Sequence, residues 1–468
     1  MSRNVESDGL EARSRGGTPR DHVLSDTDIG ALLWRLSIPA TIGMVVMATY
    51  NLVDAIFIGR GVGPLGIGGL AICFPVQLLV MSIGTLLGVG GASIISRALG
   101  AGNEARAHNT LGNVLTLVLI ISGAIMAVGF SSIEQVLTLF GATEELLPYS
   151  RRYLSVILWG TVFRCYVMSH HNIVRSEGRA RVAMTSMLIG ALLNIALDPI
   201  FIFGLDMGLR GAALATVIAQ AASTVFLALY FATGRSGLSM GFADLRLRWS
   251  IVRETLAVGA SSFGRMAAGS VVLVVLNRSL AYYGGNMAIA GYGIVNRLLH
   301  FLFMPVIGFG QGLQPVAGFN YGARRFDLAK LALRISTIRS TVFVASAFVV
   351  LYVFARPLVG FFTDDRELIE LTADALRIIS LAFPLIGIQM MGTVTFQAFG
   401  RAGPAVFLSL SRQIILLIPL VLILPRFLGL DGIFWAFPAA DTTATAVTVA
   451  MLLREFARLR RLDAAASA

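Results

Sequence analysis

The sequence predicts an all-α integral membrane protein of about twelve transmembrane helices, arranged as two parallel six-helix repeats. Three observations lead there. The 468 residues are 56% hydrophobic and only 13% charged, roughly half the charged share of a soluble chain. Apolar runs of about twenty residues or more recur along the chain. Stretches of the first half also return some 220 residues later.

So much apolar surface exceeds what two soluble cores absorb, which makes lipid the solvent. The 49 glycines suit close helix approach in a bilayer. Cys73 and Cys165 lie in apolar runs as small hydrophobes, with no disulfide framework and no metal cluster. The formal net charge of +11 is spread singly between apolar segments, which speaks against a nucleic-acid partner. Residues 1–30 lack an apolar core and read as a polar cytoplasmic tail, not a cleaved signal.

The predicted spans are 31–58, 66–95, 108–130, 153–174, 180–204 and 211–233, then 250–280, 287–316, 335–362, 372–398, 403–425 and 430–453. Between the third and fourth, "SSIEQVLTLFGATEELLPYS" reads as a short interfacial helix and a loop. The first six spans form an N-lobe, 31–233. A cytoplasmic linker, 234–249 ("GRSGLSMGFADLRLRW"), leads to a C-lobe, 250–454, and 455–468 is a second cytoplasmic tail. Alternate connections are rich in basic residues: Arg97 and Arg106; Arg175, Arg179 and Arg181; Arg246 and Arg248; Arg324 and Arg325; Arg401. Positive residues collect on the cytoplasmic side, so both termini are expected there, in a multi-pass protein of the plasma (inner) membrane.

The repeat is visible in short strings. "LSIPA" at 36–40 aligns with "LAVGA" at 256–260, and "GVGGASIISRALGAG" at 88–102 with "GFGQGLQPVAGFNYG" at 308–322. An even number of spans per copy makes the repeats parallel, as in carriers whose halves rock against each other.

Charges inside spans point to the working parts. Asp54 lies in "YNLVDAIFIGR" and Asp198 in "NIALDPIFIFG", each six residues before the outer end of its helix. At 1.5 Å per residue, both carboxylates sit roughly 9 Å deep. Tyr50 and Asn194 each precede an acid by four residues and share its helix face. Pro199 should bend the fifth helix, and Thr216 offers another oxygen at similar depth. Such a group could exchange a proton, or hold a sodium ion; internal hydrogen bonding that merely braces the bundle is the alternative.

The strings "YNLVDAIFIGR", "GGASIISRALGAGN", "NIALDPIFIFGLDMGLRGAALATVIAQ" and "MPVIGFGQGLQPVAGFNYGA" resemble the multidrug and toxic compound extrusion (MATE) family, over about Leu33 to Arg454. The resemblance implies two six-helix bundles enclosing a V-shaped cavity, and export of organic cations against inward proton or sodium flux. It implies an N-lobe coupling site at Asp54 and Asp198, with Asn194, Tyr50 and Thr216 as polar companions. Tyr153 and Asn172 in the fourth span are weaker matches to the same site. One branch of the family carries acids in the seventh and tenth spans. Here those regions read "GASSFGRMAAGS" and "QMMGTVTFQAFG" and hold none. The C-lobe instead has Asp441 and Arg412 within consecutive spans, a pairing that would ease the burial of each. Arg164, Arg265 and Arg297 also fall within spans, with no role readable.

Other motifs carry less. "GVGPLG" at 61–66 follows a membrane span and not a strand, which argues against a dinucleotide site. His170 and His171 project about 100° apart on a helix, which suits an interfacial position better than a shared metal. No Walker A sequence is present, so ATP hydrolysis by this chain is not expected. The expectation is therefore a monomeric secondary antiporter for lipophilic small organic cations, in contact with membrane lipid. It is not an enzyme and needs no cofactor beyond the coupling proton or sodium ion. A lipid-linked glycan flippase of the same superfamily is the alternative.

Overall fold

A computed structural model of the chain describes residues 23–467, with side chains as far as 461. Most of the tail expected over 1–30 thus lies outside the described residues. Its last part forms a 3₁₀ turn, Val23–Ser25, ahead of the first helix. Among the described residues the fold is helical, with no strand.

In the first half run α1 (Ile29–Val62), α2 (Pro64–Gly100), α3 (Glu104–Ser131), α4 (Leu147–Ser176), α5 (Ala180–Gly204) and α6 (Gly208–Ala232). In the second half run α7 (249–284), α8 (286–322), α9 (Phe326–Val353), α10 (Arg366–Ser380 with Phe383–Ala398, bent by 51°), α11 (Ala402–Leu428) and α12 (Leu430–Ser467). Among the described residues nine helices are long and apolar enough to cross a membrane. One of these nine is two helices joined at Gly285, and the bent α10 adds another. The polar but 30-residue α4 completes twelve spans.

Side-chain chemistry sets the boundaries. Asp28 and Asn103 cap α1 and α3 by accepting the amides of Ala31 and Arg106, each at 2.9 Å, satisfying donors that a helix start leaves free. Asp365 does the same for α10. The turns from α1 to α2 and from α7 to α8 each rest on one glycine, Gly63 (φ 80°, ψ −166°) and Gly285 (φ 62°, ψ −158°). Only glycine enters that backbone region without strain.

Three expected boundaries differ. The ninth span, expected at 335–362, is α9, Phe326–Val353, followed by a separate short helix Ala355–Gly360. Asp327, Lys330 and Arg334 on its first turns depress an average that the buried Phe326, Ala329 and Leu333 on the other face offset. The tenth span breaks just before Pro384, which cannot extend the preceding helix. The last helix continues through the expected tail 455–468 to Ser467, and Glu455 there accepts from Arg401 and Arg458. The interfacial helix expected after α3 is Ile133–Leu139.

Within the first half, α1 packs on α5, α2 on α4, and α6 on α4 and α5. Apolar residues such as Leu119, Val128 and Leu192 remain exposed, as expected where lipid is the solvent. The bundle is V-shaped because the halves meet only toward the end that carries both termini. There the seam is backbone against backbone. A Cβ on Gly90 would strike the Thr255 carbonyl and one on Gly259 the Leu86 carbonyl. Gly100 and Gly322 are pressed in the same way against Phe319 and Arg97. Small residues give this approach in membranes. Gln314 donates to the Val89 carbonyl at 3.2 Å and Ser93 to that of Gln397 at 2.5 Å. Farther from the termini, the last hydrogen bond across the seam among the described residues runs from Ser82 to the Met266 sulfur, at 3.5 Å.

Beside the termini, Glu254 of α7 bridges Arg97 of α2 at 2.7 Å and Arg106 of α3 at 2.5 Å. All three are partly exposed, so the bridge contributes about 1 kcal/mol after solvent screening. Replacing Glu254 by glutamine is expected to raise the population with the seam open about fivefold. Spin-label distances across 97–254 read this directly; an unchanged distribution refutes it.

Candidate functional site

The acids converge. Asp54 on α1 and Asp198 on α5 are near enough for their side chains to interact. Asp198 and its neighbour Asn194 are fully buried, while Asp54 is half-buried. The Asn194 amide donates to Asp198 Oδ1 at 3.3 Å and to Thr216 Oγ1 at 3.4 Å, tying α5 to α6. Pro199 supplies no N–H, so the Ile195 carbonyl leaves the α-helical ladder. The next turn, Ile200–Gly204, is π-helical, a widening that often marks functional positions. Asp54 Oδ1, Asp198 Oδ2 and Asn194 Oδ1 are buried without a partner. Ionised carboxylates only accept hydrogen bonds. Two ionised carboxylates this near repel each other, which favours a bound proton or an enclosed cation.

Beside the site lies a partly open cavity of about 40 Å³ between α1, α4, α5 and α6. Tyr50, Asn194 and Thr216 line its acidic end, and Arg164, His171 and Gln220 line the rest. Asp54, Asp198, Asn194, Tyr50 and Thr216 thus share one locality. Tyr153 is buried within electrostatic reach of Asp54, and its hydroxyl accepts from Gln77 at 3.4 Å. Asn172 is elsewhere. It lies 19 residues further along α4, about 28 Å away along the helix, so it cannot flank the same acids as Tyr153. There it donates to Met168 O and accepts from Arg175. His170 and His171 are buried between helices near the end of α4. His170 stacks on Tyr166 with centroids 3.7 Å apart, and His171 Nε2 is 3.1 Å from Ser186 Oγ.

In the second half, Arg412 binds both carboxylate oxygens of Asp441 through Nε and Nη2. The arginine sits in a π-helical stretch, Ser411–Leu417, and the aspartate side chain is 2% exposed. At the repeat distance from Asp198–Pro199 stand Ile418 and Pro419. The proline is kept and the acid is not, so the acid pair belongs to the first half alone. Among the described residues no group of three or more His, Cys, Asp or Glu is placed to hold a metal ion. Sequence reasoning missed Gln220 and the grouping of Arg164 with His171. The intramembrane charge of Arg164 was the available signal, but its neighbours depend on how α4 packs against α1, α5 and α6.

A membrane bundle of twelve helices in two halves, with paired acids beside a cavity, defines a carrier architecture. The chain belongs to the MatE family, whose model matches residues 39–200 and again 262–423, once in each half. It is similar to the "Multidrug export protein MepA" of Staphylococcus saprophyticus subsp. saprophyticus, with 29% identity over 90% of this chain and 94% of that one. It is also similar to the solved structure of the MATE multidrug transporter DinF-BH. That likeness has 42% identity and a TM-score of 0.85, covering 91% of this chain and 96% of that chain. A third likeness is to an outward-facing multidrug resistance MATE family transporter of the MOP superfamily, with 26% identity, a TM-score of 0.88 and coverage of 95% and 98%. These relatives are named as exporters and transporters, not enzymes.

Proposed function

We propose that this protein is a secondary antiporter that exports lipophilic, cationic small molecules in exchange for protons bound at Asp54 and Asp198. The observation that carries this reading is the convergence of two buried acids, from different helices of the first half, beside one cavity. Protonation is the arrangement that two neighbouring acids favour, and deprotonation leaves negative charge beside the cavity for a cation. Drug export is supported by the names of the relatives, and this favours it over glycan flipping. The proposed setting is the plasma (inner) membrane with both termini cytoplasmic, so the seam closes the cytoplasmic side and the cavity faces outward. Sodium is the competing coupling ion, since the unpartnered oxygens and Thr216 could serve it as well.

Transport of a fluorescent cation into proteoliposomes, driven by an imposed proton gradient or an imposed sodium gradient, tests the reading. Movement under the proton gradient alone is expected; movement under sodium alone would replace the proton in the scheme. A second measurement needs no gradient. Proton and cation compete for one site, and such coupling is reciprocal. The affinity of a permanently charged cation should fall as pH is lowered in wild type, and be flat in Asp198→Asn. A flat wild-type profile refutes the competition.

A further inference from the structure

The cavity beside the acid pair has a second pole of opposite sign. Arg164 lies twelve residues before the end of α4 at Ser176, roughly 18 Å from that end and well inside the membrane. Its guanidinium touches the Met81 sulfur at 3.6 Å. Among the described residues it has no ion pair with any carboxylate. His171, two turns on, also lines the cavity and is 2% exposed, with Nδ1 buried and unpartnered. One turn further, Arg175 is 4% exposed; Nη2 donates to Asn172 Oδ1 at 3.2 Å, while Nε and Nη1 have no partner. Spacings of seven and four put all three basic residues on one face of α4.

An arginine cannot shed its charge here, and charge within a membrane calls for a counter-charge. For a simple cation as cargo, this guanidinium is a repulsive element inside the cavity. For a cargo that also bears a carboxylate, it is the matching donor, because the planar fork binds carboxylate oxygens in pairs. We propose that Arg164 and His171 receive the carboxylate of the transported molecule while its cationic group lies toward Asp54 and Asp198. The cavity is thus built for zwitterionic amphiphiles in preference to simple cations. This rests on the antiporter reading and narrows its substrate class.

The test compares a rhodamine dye carrying a free carboxylate with the ethyl ester of the same dye, by equilibrium binding to purified protein without any gradient. Wild type is expected to bind the free acid about tenfold more tightly than the ester, an increment typical of a charge-assisted pair. Arg164→Gln should bring the ratio to about one, weakening the free acid and, with the repulsion gone, tightening the ester. His171→Gln, measured alongside, should reduce the ratio too and provides a second removal if the arginine variant does not fold. The proposal is overturned if wild type binds the ester as tightly as the acid, if it binds neither dye, or if a folded variant keeps the full preference. Failure of the antiporter reading would show separately, as no ion-driven movement of either dye into vesicles.

Discussion

Asp54→Asn and Asp198→Asn are each expected to abolish gradient-driven export while leaving the protein inserted and folded. Asparagine preserves the shape of the aspartate and a hydrogen-bonding oxygen, but it has no exchangeable carboxyl proton. Asp198 is enclosed and already accepts from Asn194 at 3.3 Å, so an amide there can keep a similar contact and the fold should tolerate it. Without a second carboxyl group, the pair neither shares a proton nor develops the negative charge that attracts a cation. Transport in proteoliposomes should fall to the protein-free rate in both variants, with yield and melting temperature close to wild type. Wild-type transport in both single variants would place coupling elsewhere.

The second large effect concerns Asp441 and Arg412. Removing one member of a buried pair leaves the other uncompensated, which typically costs about 3–5 kcal/mol. Replacing both removes that penalty. Asp441→Asn is therefore expected to lower folded yield and thermal stability markedly, and Asp441→Asn with Arg412→Gln to restore much of both. The arginine side chain is 29% exposed against 2% for the aspartate, so Arg412→Gln should be the more damaging single change, since it strands the deeper charge. Equal stability in all three variants, with transport lost, would instead assign the pair a part in transport.

How much of this was legible depends on the range of the interaction concerned. Hydropathy and the positive-inside pattern locate helices because each needs only its own sequence and the solvent. They mislead at α9 and α12, whose amphipathic charged turns project beyond the apolar stretch. The acid site was readable because Asp54 and Asp198 stand out against oil, and because Tyr50 and Asn194 share their helix faces. The nearness of those acids to each other was not readable, since it depends on how α1 lies on α5. Glu254 shows the limit most clearly: it sits more than 140 residues from either arginine it bridges, at the start of a helix where an acid is unremarkable. Arg164 was conspicuous as a charge, yet its meaning required the cavity.

The connection between the halves has a mechanical consequence. Asn113 of α3 donates to the carbonyls of Asp244 and Arg246 and accepts the Arg248 amide at 2.7 Å, while Thr116 donates to the Leu245 carbonyl at 2.8 Å. The next residue, Trp249, begins α7. The far end of the linker is thus riveted to the first half, leaving no slack before the second begins. When the halves swing, that rivet is the natural fulcrum, and the parts of the second half farthest from it travel the longest arcs. Small rotations there would become large openings at the membrane's middle, where the cargo waits.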